Sequence, residues 1–160
     1  MLIKISDKFV VKAKLEDVWS IVSNMPEVVS CFPNVQKIET LSDGSVKVTF
    51  RVDVSGAEDK SLTSYLSRIT GKMDVRYTEL NPMESLNVNA KGSIAGTKVF
   101  VNLSVSLSSL PDGSTQVAYD VEADAGMLAK LFGMGLVQKI IESNASAFVQ
   151  KFRRILEKSG

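Results

Sequence analysis

Apolar and polar residues alternate with a period of two along most of this chain, the pattern of strands whose two faces meet different surroundings. Val46, Val48, Phe50, Val52 and Val54 share one face of a predicted strand, while Lys47, Thr49, Arg51 and Asp53 share the other. The same alternation sets Met73, Val75 and Tyr77 against Lys72, Asp74 and Arg76, and Leu86, Val88 and Ala90 against Asn87, Asn89 and Lys91. It returns at Val99, Val101, Leu103, Val105 and Leu107, and again at Val117, Tyr119, Val121 and Ala123. Strands of this kind pair antiparallel with one wet face. Turn residues stand between them at Ser42-Asp43-Gly44, Asn81-Pro82, Gly92 to Gly96 and Pro111-Asp112-Gly113.

The two ends of the chain read differently. A first strand over Ile3 to Ala13 leads to a short helix over Glu16 to Ser23 carrying Val18, Trp19 and Val22. Asn24 is placed to cap a second short helix, with Pro26 at its first position and Glu27 in its first turn. From Leu136 onward, Val137, Ile140, Ile141, Ala145, Phe148, Val149, Phe152, Ile155 and Leu156 fall on one helical face. A helix of about 22 residues is roughly 33 Å long. Gly133 and Gly135 interrupt the pattern ahead of it, so Ala125 to Phe132 forms a separate short turn or helix. So long an apolar stripe needs a large apolar partner, and the sheet must curl to supply it. The predicted class is α+β: a curved antiparallel sheet of about seven strands wrapped around a long C-terminal helix, in one domain over residues 1–160.

Composition narrows the functional classes. The chain is 44% apolar and 23% charged, which is ordinary globular composition, and its net charge of +1 gives no field that would draw it to nucleic acid. Cys31 is the single cysteine, so no internal disulfide forms and a reducing, cytoplasmic setting is expected. Lys4, Lys8, Lys12 and Lys14 break any apolar stretch near the first residues, and no later run reaches the length of a spanning helix. A peripheral contact at the inner face of the membrane stays open, as does the choice between monomer and homodimer.

Chemistry is scarce. The absence of histidine removes the commonest general base and metal ligand together with every Ser-His or Cys-His arrangement. Glu58-Asp59 and Glu122 with Asp124 are the nearest approach to a carboxylate cluster and read as solvated loop pairs, so no metal and no cofactor is expected. The charged strand residues take the outward phase, leaving Tyr77 and Tyr119, with Tyr65 and Asp7 beside them, as the polar groups available to an interior. Cys31 has no neighbour in sequence to activate it and reads as a small buried hydrophobe.

Several local stretches carry a family resemblance: Val18-Trp19 in the first helix, Cys31-Phe32-Pro33-Asn34-Val35 after the second, and Ile69-Thr70-Gly71-Lys72. Gly96-Thr97 opening a strand and Gly126-Met127-Leu128-Ala129 before the Gly133 to Gly135 hinge complete the set. Together with the order of elements, they resemble the carbon monoxide dehydrogenase G-subunit (CoxG) family, within the START-like, or SRPBCC (polyketide cyclase-like), helix-grip superfamily. Asn34 departs from the glycine usual there, and asparagine tolerates the left-handed turn. The resemblance implies a cavity between sheet and helix, and a partner of the molybdenum hydroxylase type, an enzyme complex such as a carbon monoxide dehydrogenase. It brings no catalytic signature.

The strand phases then supply a cavity wall: Phe50, Val52, Met73, Val75, Leu86, Val88, Val101, Leu103 and Val121, with Leu136 and Ile140 opposite. Tyr77 and Tyr119 are the expected polar contacts to an apolar lipid, isoprenoid or quinone-like ligand. Met127, Leu131 and Phe132 belong to a glycine-flanked stretch that gates the cavity, caps it or touches a membrane. The expected function is non-catalytic binding. The alternatives are a cyclase or dehydrase using Tyr77, Tyr119 or Asp7, and an adaptor with a filled core that presents Phe100.

Overall fold

Strands with one apolar face hide it by pairing side by side and curling over a common core. The computed structural model, which describes residues 2–53, 64 and 68–158, shows this arrangement. The expectations for Val54, for Tyr65 and for Glu58-Asp59 lie outside the described residues. Strand β1 (Leu2–Val11) is followed by helices α1 (Leu15–Val22) and α2 (Met25–Val29). Then come β2 (Val35–Thr40), β3 (Val46–Arg51), β4 (Thr70–Asn81), β5 (Ser85–Ile94), β6 (Thr97–Ser109) and β7 (Thr115–Asp124). Two helices close the chain, α3 (Gly126–Phe132) and α4 (Met134–Glu157).

The seven strands form one antiparallel sheet in the order β1-β7-β6-β5-β4-β3-β2, so the first strand returns to pair with the last. Register makes the inner face continuous. Val46, Val75, Ala90, Val101, Ala123 and Ile3 lie opposite one another from β3 across to β1, an apolar row. The neighbouring outer row contains Lys47, Asp74, Lys91, Phe100, Asp124 and Leu2. Phe100 is exposed there, as its phase predicts.

Local signals behave as the side-chain chemistry requires. Asn24 Oδ1 accepts the Glu27 amide at 3.4 Å and caps α2, with Pro26 in the first turn. Asn34 takes the left-handed conformation at φ 51°. The expected Gly92 to Gly96 turn is shorter than its composition suggests. Gly92 lies within β5, and the hairpin is the two-residue Ala95-Gly96 turn, with φ 54° and 73°. Gly133, at φ 93°, separates α3 from α4, while Gly135 is absorbed into the first turn of the long helix. Helix α4 is therefore 24 residues long and begins two residues before Leu136.

The contact of α4 with the rest of the fold is uneven. Its buried residues are Val137 and Ile140 near one end and Phe152 and Leu156 near the other. Between them Ile141, Ala145, Phe148 and Val149 are only half-buried. The helix is gripped at both ends and stands off the sheet in the middle.

Candidate ligand cavity

The space beneath the middle of α4 is a cavity of about 170 Å³, partly open to solvent and lined by 27 of the described residues. All but two of them, Tyr119 and Asn144, present purely apolar or thioether side chains. From the sheet come Phe50, Met73, Val75, Val88, Val101, Leu103, Tyr119 and Val121, with Val52 just beyond β3. Phe132 of α3 and Ile140 of α4 complete the set of expected residues that line it.

Five expected residues lie elsewhere, for distinct reasons. Tyr77 donates its hydroxyl to the Val22 carbonyl at 2.6 Å, so the last turn of α1 holds its polar end away from the cavity. Burial also pushes the Tyr77 hydroxyl pKa well above the usual phenol range, so it stays a neutral phenol. Leu86 is buried beside its cross-strand partner Val105, past the end of the cavity. Leu136 is half-buried against the core rather than the space itself. Met127 and Leu131, 54% and 62% exposed, lie on the outward side of α3, whose inward side carries Leu128 and Phe132.

The placement of Tyr77 is testable. Tyr77→Phe strands the Val22 carbonyl and is expected to cost about 1 kcal/mol of stability, read by urea denaturation, while leaving ligand affinity within twofold of wild type. A tenfold loss of affinity would restore Tyr77 to the site.

The residues that strand phase did not reveal come from the helices and the α2–β2 link. Phe148 and Phe152 of α4 stack at 5.9 Å between ring centroids, and Phe148 meets Phe32 edge-on at 5.6 Å. Phe32 in turn packs against Phe50 at 5.2 Å, closing a run of rings along one side of the cavity. The sequence signal for this wall is present twice, in the α4 stripe and in Phe32-Pro33 after α2, both of which line the space.

The two polar lining residues differ in what they have left to offer. Asn144 Oδ1 accepts the Asp53 amide at 3.0 Å, and its Nδ2 donates to the carbonyls of Asp53 at 2.8 Å and Ile140 at 2.7 Å. That amide ties the chain leaving β3 to α4 and has no spare donor. Tyr119 packs its ring 6.2 Å from Phe9, and its hydroxyl has no hydrogen-bond partner among the described residues. Burial, and then the Asp7 carboxylate across the β1–β7 pair, raise its pKa, so the neutral phenol is the form present near neutral pH. Tyr119 can both donate and accept within an otherwise apolar space.

The remaining candidates are accounted for by position. Asp7 is exposed on β1 and accepts the Lys8 amide at 2.8 Å. Cys31 is buried, gives its thiol to the Glu27 carbonyl at 3.7 Å, and is pushed by desolvation to a pKa of about 11, which keeps it an unreactive thiol. Among the described residues no group of three or more acidic or cysteine side chains is placed to hold a metal ion, and no helix is long and apolar enough to cross a membrane.

The fold has many solved counterparts. A conserved protein from Geobacillus kaustophilus superposes with a TM-score of 0.77 at 16% identity, covering 98% of this chain and 97% of that one. The ZhuI aromatase/cyclase from Streptomyces sp. R1128 gives 0.67 at 16% identity, over 99% and 95% of the two chains. A START superfamily protein from Mycobacterium smegmatis gives 0.59 at 14%, with 97% of each covered. At such identities the likeness is one of fold. No curated protein matches the sequence. The sequence profile of the carbon monoxide dehydrogenase G-subunit (CoxG) matches residues 8–157, nearly the whole chain, and with the helix-grip fold in place this protein belongs to the CoxG family.

Proposed function

We propose that this protein is a non-catalytic carrier that binds an apolar small molecule, a lipid, isoprenoid or quinone-like compound, between the sheet and α4. The observation that carries this reading is the lining: apolar side chains throughout, with the Tyr119 hydroxyl as the one polar group among the described lining residues not already committed to the protein. Such a surface gains by exchanging water for hydrocarbon, at about 25 cal/mol per Å² of apolar area covered. It offers little to acid–base chemistry, since Tyr77 is engaged and Asp7 lies outside the cavity. Among the described lining residues, catalysis of the cyclase type would rest on Tyr119 alone.

By family, the carrier serves a molybdenum-containing carbon monoxide dehydrogenase-type complex, collecting its ligand in the cytoplasm or at the inner face of the membrane. The outward side of α3 supports a peripheral contact. Met127 and Leu131 are exposed there beside Lys130, behind the cavity wall made by Leu128 and Phe132, and Met134 is exposed at the start of α4.

Native mass spectrometry of the protein as purified, with organic extraction of what it carries, tests this reading. A stoichiometric apolar adduct is expected. An apo mass that persists after incubation with lipids and quinones would leave the carrier without a cargo.

A further inference from the structure

Among the described residues the cavity is sealed unevenly. On the inner face, Ile3 and Ala123 at one end of the β1–β7 pair and Phe9 and Val117 at the other are buried. Between them Ile5, Val121 and Tyr119 keep solvent exposure although they share the same phase, and Leu103 beside Val121 does too. This stretch faces the part of α4 that stands off the sheet. Outside it runs a shallow cleft between Lys4, Ile5 and Ser6 on β1 and Glu142, Ser146 and Gln150 on α4. Cleft and cavity share Tyr119, Ala145 and Val149, so one layer of side chains divides them, and on the helix that layer includes an alanine.

We infer that the cavity is loaded through the seam between β1 and α4, and that Tyr119 is the threshold at which the polar end of an amphiphile comes to rest. The inference builds on the carrier reading and narrows it to a molecule with an apolar body and a neutral hydrogen-bonding head. Size supports the split: about 170 Å³ falls below the roughly 300–1,000 Å³ of ordinary small-molecule sites, so a longer ligand extends outward. Charge selects the head. Asp7 stands opposite Tyr119, Glu142 rims the cleft, and Lys4 is paired with Glu122 at 3.7 Å, so among the described residues an anionic head meets carboxylates with no uncommitted cation lining the cleft. A hydroxyl or carbonyl head finds the Tyr119 hydroxyl and the backbone of β1, the edge strand, both without a partner on that side among the described residues.

Stopped-flow fluorescence with the neutral apolar probe N-phenyl-1-naphthylamine, and calorimetry with n-octanol and octanoate, test this on the full chain. Ala145→Trp is expected to slow probe association at least tenfold. Ala145→Leu, a milder plug for use if the indole impairs folding, is expected to slow it severalfold. Leu131→Trp on the outer side of α3 is expected to leave the rate unchanged. Wild type is expected to bind octanol at least tenfold more tightly than octanoate, and Tyr119→Phe to weaken octanol about fivefold. Absence of binding by any probe to wild type would overturn the carrier reading itself. Binding with unchanged rates in the Ala145 variants, slowing by Leu131→Trp instead, or equal affinity for octanol and octanoate would overturn the seam and leave the carrier standing.

Discussion

Gly92→Ala is expected to destabilise the protein by on the order of 4 kcal/mol, near the upper end of single-residue effects and most of what a marginally stable domain has. A β-carbon built at Gly92 would stand 1.8 Å from the Lys72 carbonyl oxygen and 2.6 Å from the Met73 sulfur. The methionine could swing aside. The carbonyl belongs to β4, the strand paired with β5, and relief would require the two strands to part where the sheet curls. Gly71 offers the internal comparison. There the nearest atoms to a β-carbon are the ring edge of Phe50, at 2.7 and 2.8 Å, and a ring can turn into the cavity it lines. Gly71→Ala is therefore expected to cost only about 1–2 kcal/mol, the range of mild overpacking. Urea denaturation of both variants checks the contrast. Equal, small losses would mean that β4 and β5 do not approach as closely at Gly92 as the structure shows.

Strand phase made the curved sheet legible because the strands from β3 to β7 each have one wet face, so Val46, Val75, Ala90, Val101 and Ala123 read as inward, while the register that sets them in one row with Ile3 came from the structure. It could not fix where along that face the cavity lies, since a filled core and an empty one demand the same alternation. Tyr77 shows the limit. Its phase is inward, but α1 covers that part of the sheet, and the hydroxyl is spent on Val22. Leu86 fails for the same kind of reason, being inward yet beyond the end of the cavity. On α4 the apolar stripe announced contact along the whole helix, whereas the structure buries its two ends and leaves the middle standing off. Which part of a stripe touches its partner depends on how the sheet bends, and that bend is set by close approaches such as Gly92 on Lys72, which no periodicity records.

Val101→Trp is expected to abolish ligand binding, by at least a hundredfold in affinity, while the protein stays folded. Val101 is half-buried on the inner face of β6 and lines the cavity, and its direct neighbours across the sheet are the small Ala90 and Ala123. An indole at this position finds room above two alanines and rises into a space of about 170 Å³. Overpacking a filled core costs about 1–3 kcal/mol. Here the ring enters cavity space that no described side chain fills, and the apolar area it covers offsets much of that cost. Folding and binding thus separate: circular dichroism should show a melting temperature within a few degrees of wild type, and native mass spectrometry should show the apo mass alone. Retention of cargo at wild-type affinity would place the ligand outside this cavity. Loss of folding together with binding would mean that the core is already filled at Val101, as an adaptor without a cargo requires.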